Sequence, residues 1–485
     1  MNGWQEPKDG KRIYLITDNS RMDGFTDHIK LEDIDRLYVT YSESRMNLGI
    51  HYYRNCLYSS NLVGICRVKS VEDETLYDAE GNELLIKVIP RFNITVVELL
   101  NYIRDDDEFD RYMAPQTISN RHREKDIEAI DQNEIFYFFE NEKPLKVDDK
   151  ISEENSIITV TVFLTLLRLL CKRPFMGRML KEEENLTAKV KGKIVIEKNI
   201  RKNTMHGRND RFYCQYLRFS DDILENQILK AALKKAKRFI IDYFGDYSKY
   251  NNNYASMISY CSNALSHISD IRCSGSACNG LKFSGCYTYY KPVIAMAKMI
   301  LDDISIESNG DISTTGYIVP YAISMEKLFE VYVRAYLKKN GIDSYRSRNK
   351  MGISMEKFDI KRDVFCEEEG LANPGKYISG SIKPDLILKD KESGETVVFD
   401  VKYKDYTNGG SRNDRLQLLA YSMMMNANNI GIILPAQDDV EIFDARNINS
   451  MENRIIKYHQ MLLGMMKDNS IIADYIENNI FKKKE

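Results

Sequence analysis

Two apolar runs in the last third of the chain do most to limit its fold. Ser381-Ile-Lys-Pro-Asp-Leu-Ile-Leu388 and Thr396-Val-Val-Phe-Asp-Val-Lys-Tyr403 have the length and composition of strands, and Lys389 to Glu395, with Ser393-Gly394, reads as the turn between them. An amphipathic helix is predicted at Ser324–Lys339, ended by Asn340-Gly341, and a strand at about 357–365. A further helix is predicted at about 412–427 and a strand at 429–434, and two helices are expected to close the chain. Helix, strands, helix, strand is the order of an α/β domain.

The two runs also carry charge where a buried strand has no packing use for it. Side chains alternate along a strand, so Asp400 and Lys402 share one face. If the runs form a hairpin, Asp385 lies beside that pair. Two carboxylates on neighbouring strands make a hard oxygen site suited to Mg²⁺. A lysine next to them supplies positive charge at an attacking water or a phosphate, and metal-activated water attacking phosphorus is the chemistry this trio suits. A salt-bridged edge strand is the competing reading, because exposed pairs form readily and contribute little.

Two neighbouring segments add candidates. Glu330 lies between apolar Phe329 and Val331 on the helix Met325-Glu-Lys-Leu-Phe-Glu-Val-Tyr332, where it reaches the metal through a water or else stands as an exposed helical glutamate. Gln417 and Tyr421 are four apart on the helix after the Asp400 run and so share its face. Either can hydrogen-bond a phosphate or order Lys402; Tyr421 also suits a core position.

The order Glu330, Asp385, Asp400-Val-Lys402, Gln417-x-x-x-Tyr421 resembles the PD-(D/E)xK nucleases, in the branch with a Gln-x-x-x-Tyr motif. Leu328-Phe-Glu-Val-Tyr-Val333 and Phe399-Asp-Val-Lys-Tyr-Lys404 are similar to segments of the McrC family, the nuclease subunits of modified-cytosine (McrBC-type) restriction systems. Val190-Lys-Gly-Lys-Ile194 and Asn226-Gln-Ile-Leu-Lys230 are similar to its middle-region signatures, and the resemblance spans about 160 to 435. It implies a DNA endonuclease subunit that cuts by Mg²⁺-dependent phosphodiester hydrolysis. Asp385, Asp400 and Glu330 are the expected metal residues, and Lys402, Gln417 and Tyr421 complete the catalytic set. It also implies an AAA+ GTPase partner whose hydrolysis this subunit stimulates through its N-terminal half. A non-catalytic regulator docking on such a ring is the alternative. In keeping with a partner that handles nucleotide, no Gly-x4-Gly-Lys-[Ser/Thr] word occurs; Gly370-Leu-Ala-Asn-Pro-Gly-Lys-Tyr377 has Tyr where Mg²⁺ needs a hydroxyl.

The expected fold class is α+β and multidomain: a strand-rich partner-docking region at 1–150, a largely helical middle region with a basic segment at 151–320, and a nuclease domain with a mixed central sheet at 321–485. Removal of residues 1–150 is expected to abolish stimulation of the partner and leave the C-terminal fold intact. In the N-terminal region, strands are predicted at Lys11–Thr17, Leu37–Tyr41 and Leu84–Val88, a linker at 101–132 and a short strand at Ile135–Phe139. In the middle region, helices are predicted at Ser152–Leu170, Asp221–Phe244 and Tyr290–Leu301, and a strand at Lys189–Lys198.

Composition closes off other classes. With 43% apolar and 29% charged residues and a net charge of −3, nothing global marks a nucleic-acid or membrane partner. The apolar run Ile157–Cys171 is too short and polar to span a bilayer, and the polar N-terminus lacks the apolar segment of a secretory signal, so a cytoplasmic protein is expected. Charge is uneven: Arg104–Glu154 holds 16 acids and 8 bases, Lys189–Arg238 14 bases and 5 acids. In the basic block Tyr213, Tyr216 and Phe219 alternate with Arg211 and Arg218, a mix that grips a phosphate backbone or forms a half-buried strand. Cys261, Cys273, Cys278 and Cys286 crowd one stretch without the paired spacing of a zinc site.

Overall fold

In the computed structural model the described residues are 2–8, 10–37, 50–53, 55–70, 72, 74–92, 95–103, 116–118, 135–139, 145–146, 149–244, 253–306, 312–314, 317–318, 321–342, 353–356, 384–390, 393–404, 412–436, 441–449, 455–464 and 470–481. The fold is mixed α/β, and the chain divides into two compact units. The first joins Met1–Glu142 to Pro320–Glu485; the second is Lys143–Val319.

The first unit holds two large sheets. In the seven-stranded sheet the order is Gly3–Trp4, Lys11–Thr17, Glu83–Ile89, Leu62–Arg67, Tyr321–Ser324, Phe136–Phe139, Gln116–Ile118. Lys11–Thr17 alternates half-buried with buried positions, and Tyr14 and Ile16 point into the core, as period-2 patterning requires. Tyr321–Ser324 comes from the far side of the middle block yet pairs antiparallel with both Leu62–Arg67 and Phe136–Phe139. The N-terminal and C-terminal regions thus share a sheet and one compact unit, where separate domains were expected.

The other sheet is mixed and six-stranded, in the order Ile353–Glu356, Leu386–Asp390, Thr396–Val401, Asn429–Ala436, Ile455–Gly464, Glu441–Asn449. The first three strands run antiparallel in sequence order. Thr396–Val401, Asn429–Ala436 and Ile455–Gly464 are then parallel neighbours, and the helix Arg412–Met425 provides the crossover before Asn429. Val398, Ile430, Ile432 and Leu434 pack with Leu418 and Tyr421 of that helix. The two closing helices of the sequence reading are instead two strands, followed by a short helix Ile471–Tyr475 and a π turn Ile476–Ile480. In Ile455–Gly464 the buried His459, Met461 and Leu463 recur at period 2, which outweighs the helix-forming Met and Leu content.

The second unit packs the helices Asp149–Cys171, Leu224–Phe244, Asn253–Ala264 and Tyr290–Asp303 together. It is less helical than expected. Arg178–Thr187 and Arg211–Ser220 form a long antiparallel ribbon, which Lys193–Ile194 extends. Most of the Arg178–Thr187 strand is exposed, so no buried alternation marked it in the sequence. The strand expected at Lys189–Lys198 is only those two residues. Gly192 turns the chain at φ +69°, where a Cβ would strike Gln215 O, and Ile196–Lys202 is helical. Asn226, from one family-like word, is fully buried and structural: its Nδ2 donates to Met176 O and Asp221 O, and its Oδ1 accepts from Tyr290 Oη.

Several expectations fall wholly or partly outside the described residues: the strand at 357–365, the Gly370–Tyr377 word, residues 38–41, and most of 101–132 and of the acidic block. Within 101–132, 101–103 end the helix Val96–Ile103 and 116–118 form a strand.

Candidate functional site

The antiparallel register pairs Leu386 with Phe399, which sets Asp385 opposite Asp400 one step further along. Residues facing each other across an antiparallel pair lie on the same side of the sheet, with Cβ atoms about 5 Å apart. Asp385 Oδ2 accepts from Val401 N at 2.9 Å, so this carboxylate takes up a backbone donor just past the end of the ladder. Burial pushes the Asp385 carboxyl well above the usual carboxylate range, and the negative charge of Asp400 adds to it; Lys402 and the Val401 N–H pull the other way.

Asp400 is fully buried. Its Oδ2 meets Lys402 Nζ as an ion pair at 3.0 Å. Lys402 N donates to Ile433 O at 3.0 Å, which holds the backbone here against the neighbouring parallel strand. Burial opposes the charge on Lys402, but Asp400, Asp385 and Glu326 outweigh it and hold the ammonium above its ordinary pKa. The carboxylates keep Lys402 protonated, as a positive charge beside them.

Glu330 lies on the helix Met325–Lys339. Ser324 caps that helix by accepting from Lys327 N, and Gly341, at φ +96°, follows its end. The helix is buried nearly all round, by Leu328, Phe329, Val331, Tyr332, Val333 and Tyr336 among others. Its polar stripe, Lys327, Glu330 and Arg334, is therefore confined to one narrow face. Lys327 Nζ lies 2.9 Å from Glu330 Oε2 and Arg334 Nη2 2.8 Å from Glu330 Oε1; Arg334 Nη2 also donates to Asp385 O at 2.6 Å. Both Glu330 oxygens are thus engaged by cations. Burial opposes the charge on Lys327, but Glu330, then Asp385 and Glu326, hold it above its ordinary pKa. Sequence reading missed Glu326, Lys327 and Arg334. The signal available was cations at i−3 and i+4 around Glu330 in an otherwise apolar helix.

Gln417 Nε2 donates to Tyr421 Oη at 2.6 Å, as the i,i+4 spacing allows. Tyr421 is buried in the core of the sheet and also senses the site. Burial raises its pKa, Gln417 lowers it, and Asp400, Asp385 and Lys402 all act on it. The structure therefore gathers Asp385, Asp400, Lys402 and Tyr421 directly, Gln417 through Tyr421, and Glu330 through Arg334.

The donor chemistry fits Mg²⁺. Asp385 and Asp400 face each other as hard oxygen donors, the ligand type Mg²⁺ takes, and would be the residues to hold it. Among the described residues no three of His, Cys, Asp and Glu gather closely enough to hold a metal, so neither Glu330 nor the cysteine-rich stretch completes a cage. Cys261 and Cys278 are buried thiols, Cys273 is half-buried and Cys286 exposed. The basic, aromatic strand Arg211–Ser220 is matched by an acidic one: Arg218 pairs with Glu182 at 3.2 Å, Tyr216 Oη donates to Glu184 at 2.8 Å, and Lys198 pairs with Glu183. Of the two readings of this block, the partly buried strand is the one the structure describes. Among the described residues no helix is long and apolar enough to cross a membrane.

The mixed sheet and its charged trio define a carboxylate-and-lysine site at the end of parallel strands. The family model described as McrBC 5-methylcytosine restriction system component matches residues 116–435, about two thirds of the chain, and the chain belongs to that family. Two solved structures from Thermococcus gammatolerans are similar at 15% identity. One is a half-complex of McrB AAA+ hexamers with bound McrC, aligned over 96% of this chain and 100% of that one with a TM-score of 0.40. The other is the McrBC complex, aligned over 68% and 88% with a TM-score of 0.28. Both scores are too low to define a shared fold. No curated protein matches.

Proposed function

We propose that this chain is the endonuclease subunit of a McrBC-type restriction system, with a PD-(D/E)xK nuclease domain that hydrolyses DNA phosphodiesters using Mg²⁺. It would act in assembly with an AAA+ GTPase subunit whose hydrolysis it stimulates. Family membership supports the system, and a resemblance that extends into the middle region supports the partner. The observation that carries the nuclease reading is Asp400, a fully buried carboxylate set opposite a second one, Asp385, with Lys402 as the cation beside them. The two carboxylates carry more negative charge than Lys402 offsets, and a divalent cation would balance the rest.

Asp385 and Asp400 would hold the ion, which when bound supplies Lewis-acid charge for activating water and neutralising phosphate. Lys402, kept protonated by both carboxylates, stabilises negative charge building on the reacting phosphate. Tyr421, fixed by Gln417, borders the same charges. Glu330 positions rather than ligates: it neutralises Lys327 and aims Arg334 at the Asp385 carbonyl.

The test is Lys402→Ala in the assembled complex, with Mg²⁺ and DNA carrying 5-methylcytosine. Cleavage should fall on the order of 10²-fold or more, as for loss of one preorganised electrostatic group, with partner NTPase stimulation near wild type. Cleavage at the wild-type rate would falsify the catalytic assignment and restore the non-catalytic regulator.

A further inference from the structure

The backbone that follows Lys402 is anchored by the other sheet of the same unit. Lys11–Thr17 and Glu83–Ile89 run parallel with Thr17 level with Ile89, so the residues after them emerge side by side. Asp18 follows the first strand; its N–H donates to Ile89 O at 2.9 Å and its carboxylate is fully buried. Arg91 follows the second. Its N–H donates to Asp18 Oδ1 at 2.5 Å, and its Nε lies 3.9 Å from Asp18 Oδ2. The guanidinium then reaches Tyr403, the residue next to Lys402: Nη2 donates to Tyr403 O at 2.6 Å.

The contact is braced on several sides. The Arg91 guanidinium lies 5.0 Å from the Phe92 ring centre and 5.2 Å from that of Tyr403. Phe92 meets the Tyr403 ring edge-on at 5.1 Å, and Phe329, beside Glu330, lies 6.0 Å from it. Tyr403 is 3% exposed. It sits past the end of Thr396–Val401, where no ladder is left to satisfy its carbonyl, and a buried carbonyl must find a donor elsewhere. A charged, five-donor fork set against both rings fixes that carbonyl in both distance and direction.

We propose that Arg91, with Asp18 as its buried counter-charge, is a positioning residue of the site, locking the backbone after Lys402 and thereby the aim of its ammonium. The proposal rests on the nuclease reading above and adds to it a residue more than 300 positions away in sequence. A misplacement of about 1 Å at a reacting group costs on the order of 10²-fold in rate, so partial loosening should cost about tenfold.

The experiment compares full-length Arg91→Met, Arg91→Lys and Lys402→Ala, each assembled with the partner, on 5-methylcytosine DNA with Mg²⁺. Arg91→Met keeps the stem that packs on the rings and removes every donor; Arg91→Lys keeps one donor. Single-turnover cleavage should fall about tenfold or more in Arg91→Met and less in Arg91→Lys, with DNA affinity unchanged in both. Hydrogen exchange of amides 402–404 should accelerate in Arg91→Met while the Asn429–Ala436 strand keeps its protection, a local signature that general unfolding does not give. If Lys402→Ala abolishes cutting and Arg91→Met leaves both cutting and exchange at 402–404 unchanged, the positioning role is wrong and the nuclease reading stands. If Lys402→Ala cuts normally, the nuclease reading fails, and unchanged exchange in Arg91→Met then overturns the latch as well. Should Arg91→Met fail to fold, the same exchange measurement on Arg91→Lys decides.

Discussion

Two regions, the ribbon of the second unit and the Asp385–Asp400 hairpin of the first, treat charge in opposite ways. On the ribbon of the second unit, Glu182, Glu183 and Glu184 stand in or near solvent, and each has found a partner across the strands or on the adjacent helix. At the hairpin Asp400 is sealed from solvent beside Lys402, and Asp385 faces it across the strands. Exposed pairs contribute roughly 0 to 1 kcal/mol and are easily exchanged, whereas two buried carboxylates sharing one lysine are a standing cost to the fold. The density of charge along the chain is therefore a poor guide to the site. The 14 bases of Lys189–Arg238 stand out in the sequence, yet Glu182 and Glu183, just outside that window, are brought by the ribbon to pair with Arg218 and Lys198.

The largest effect that sharpens this contrast is expected from Asp385→Asn. The amide oxygen still accepts from Val401 N, but the charge that burial and Asp400 disfavour is gone. Cleavage should fall by at least about 10²-fold while the full chain gains on the order of 1 kcal/mol of stability near neutral pH, the usual trade between a strained site and the fold. Thermal melting beside a cleavage assay checks both; a marked loss of stability would mean the pair is structural.

A buried group that the site does not use is expected to act on stability alone, and in the opposite sense. His459 is 1% exposed; one ring nitrogen lies 3.0 Å from Asn429 Oδ1 and the other 3.1 Å from Tyr475 Oη. Burial, helped by Lys457, lowers its pKa to about 4. Between about 6.5 and 4 the unfolded chain binds the proton and the folded chain does not, so stability falls as pH drops through that window. The loss should be on the order of 2–3 kcal/mol, and His459→Gln should remove most of it in denaturation curves at pH 7 and pH 4. Identical pH slopes for the two proteins would refute the assignment.

The smallest effect is expected on the ribbon. Glu182→Ala and Arg218→Ala should each shift stability by no more than about 0.5 kcal/mol and leave cleavage unchanged, and a double-mutant cycle should give a coupling below about 1 kcal/mol. A coupling well above that would break the contrast from the other side, by showing that an exposed pair matters.

What the sequence made legible tracks how local the controlling forces are. The strand Lys11–Thr17, the helix after Ser324 and the hairpin at 386–401 were readable, because alternation, capping and turn residues act within a few positions. Asp385, Asp400 and Lys402 were readable for the same reason: charge in an apolar strand is a local anomaly. The exposed ribbon was not, since it buries too little to impose a pattern, and neither was His459, a polar side chain satisfied only by residues distant in sequence. Arg91 and Asp18 lay furthest out of reach. Nothing near either residue in the chain refers to Tyr403, and only the closing of the seven-stranded sheet around Tyr321–Ser324 makes them neighbours of the site.

That late strand has a genealogical consequence. Phe136–Phe139 and Tyr321–Ser324 pair antiparallel, as the two arms of a hairpin do, and the whole second unit occupies the place of the hairpin loop. Its own two ends are zipped by Leu145 opposite Ile318 and Lys146 opposite Tyr317. An insert held at such a two-stranded neck can be lengthened, shortened or traded between lineages without shifting the register of the sheet that hosts it, because loop length weighs only logarithmically on closing the arms. The host, by contrast, is stitched from segments on both sides of the insert, and a change to either arm disturbs the shared sheet.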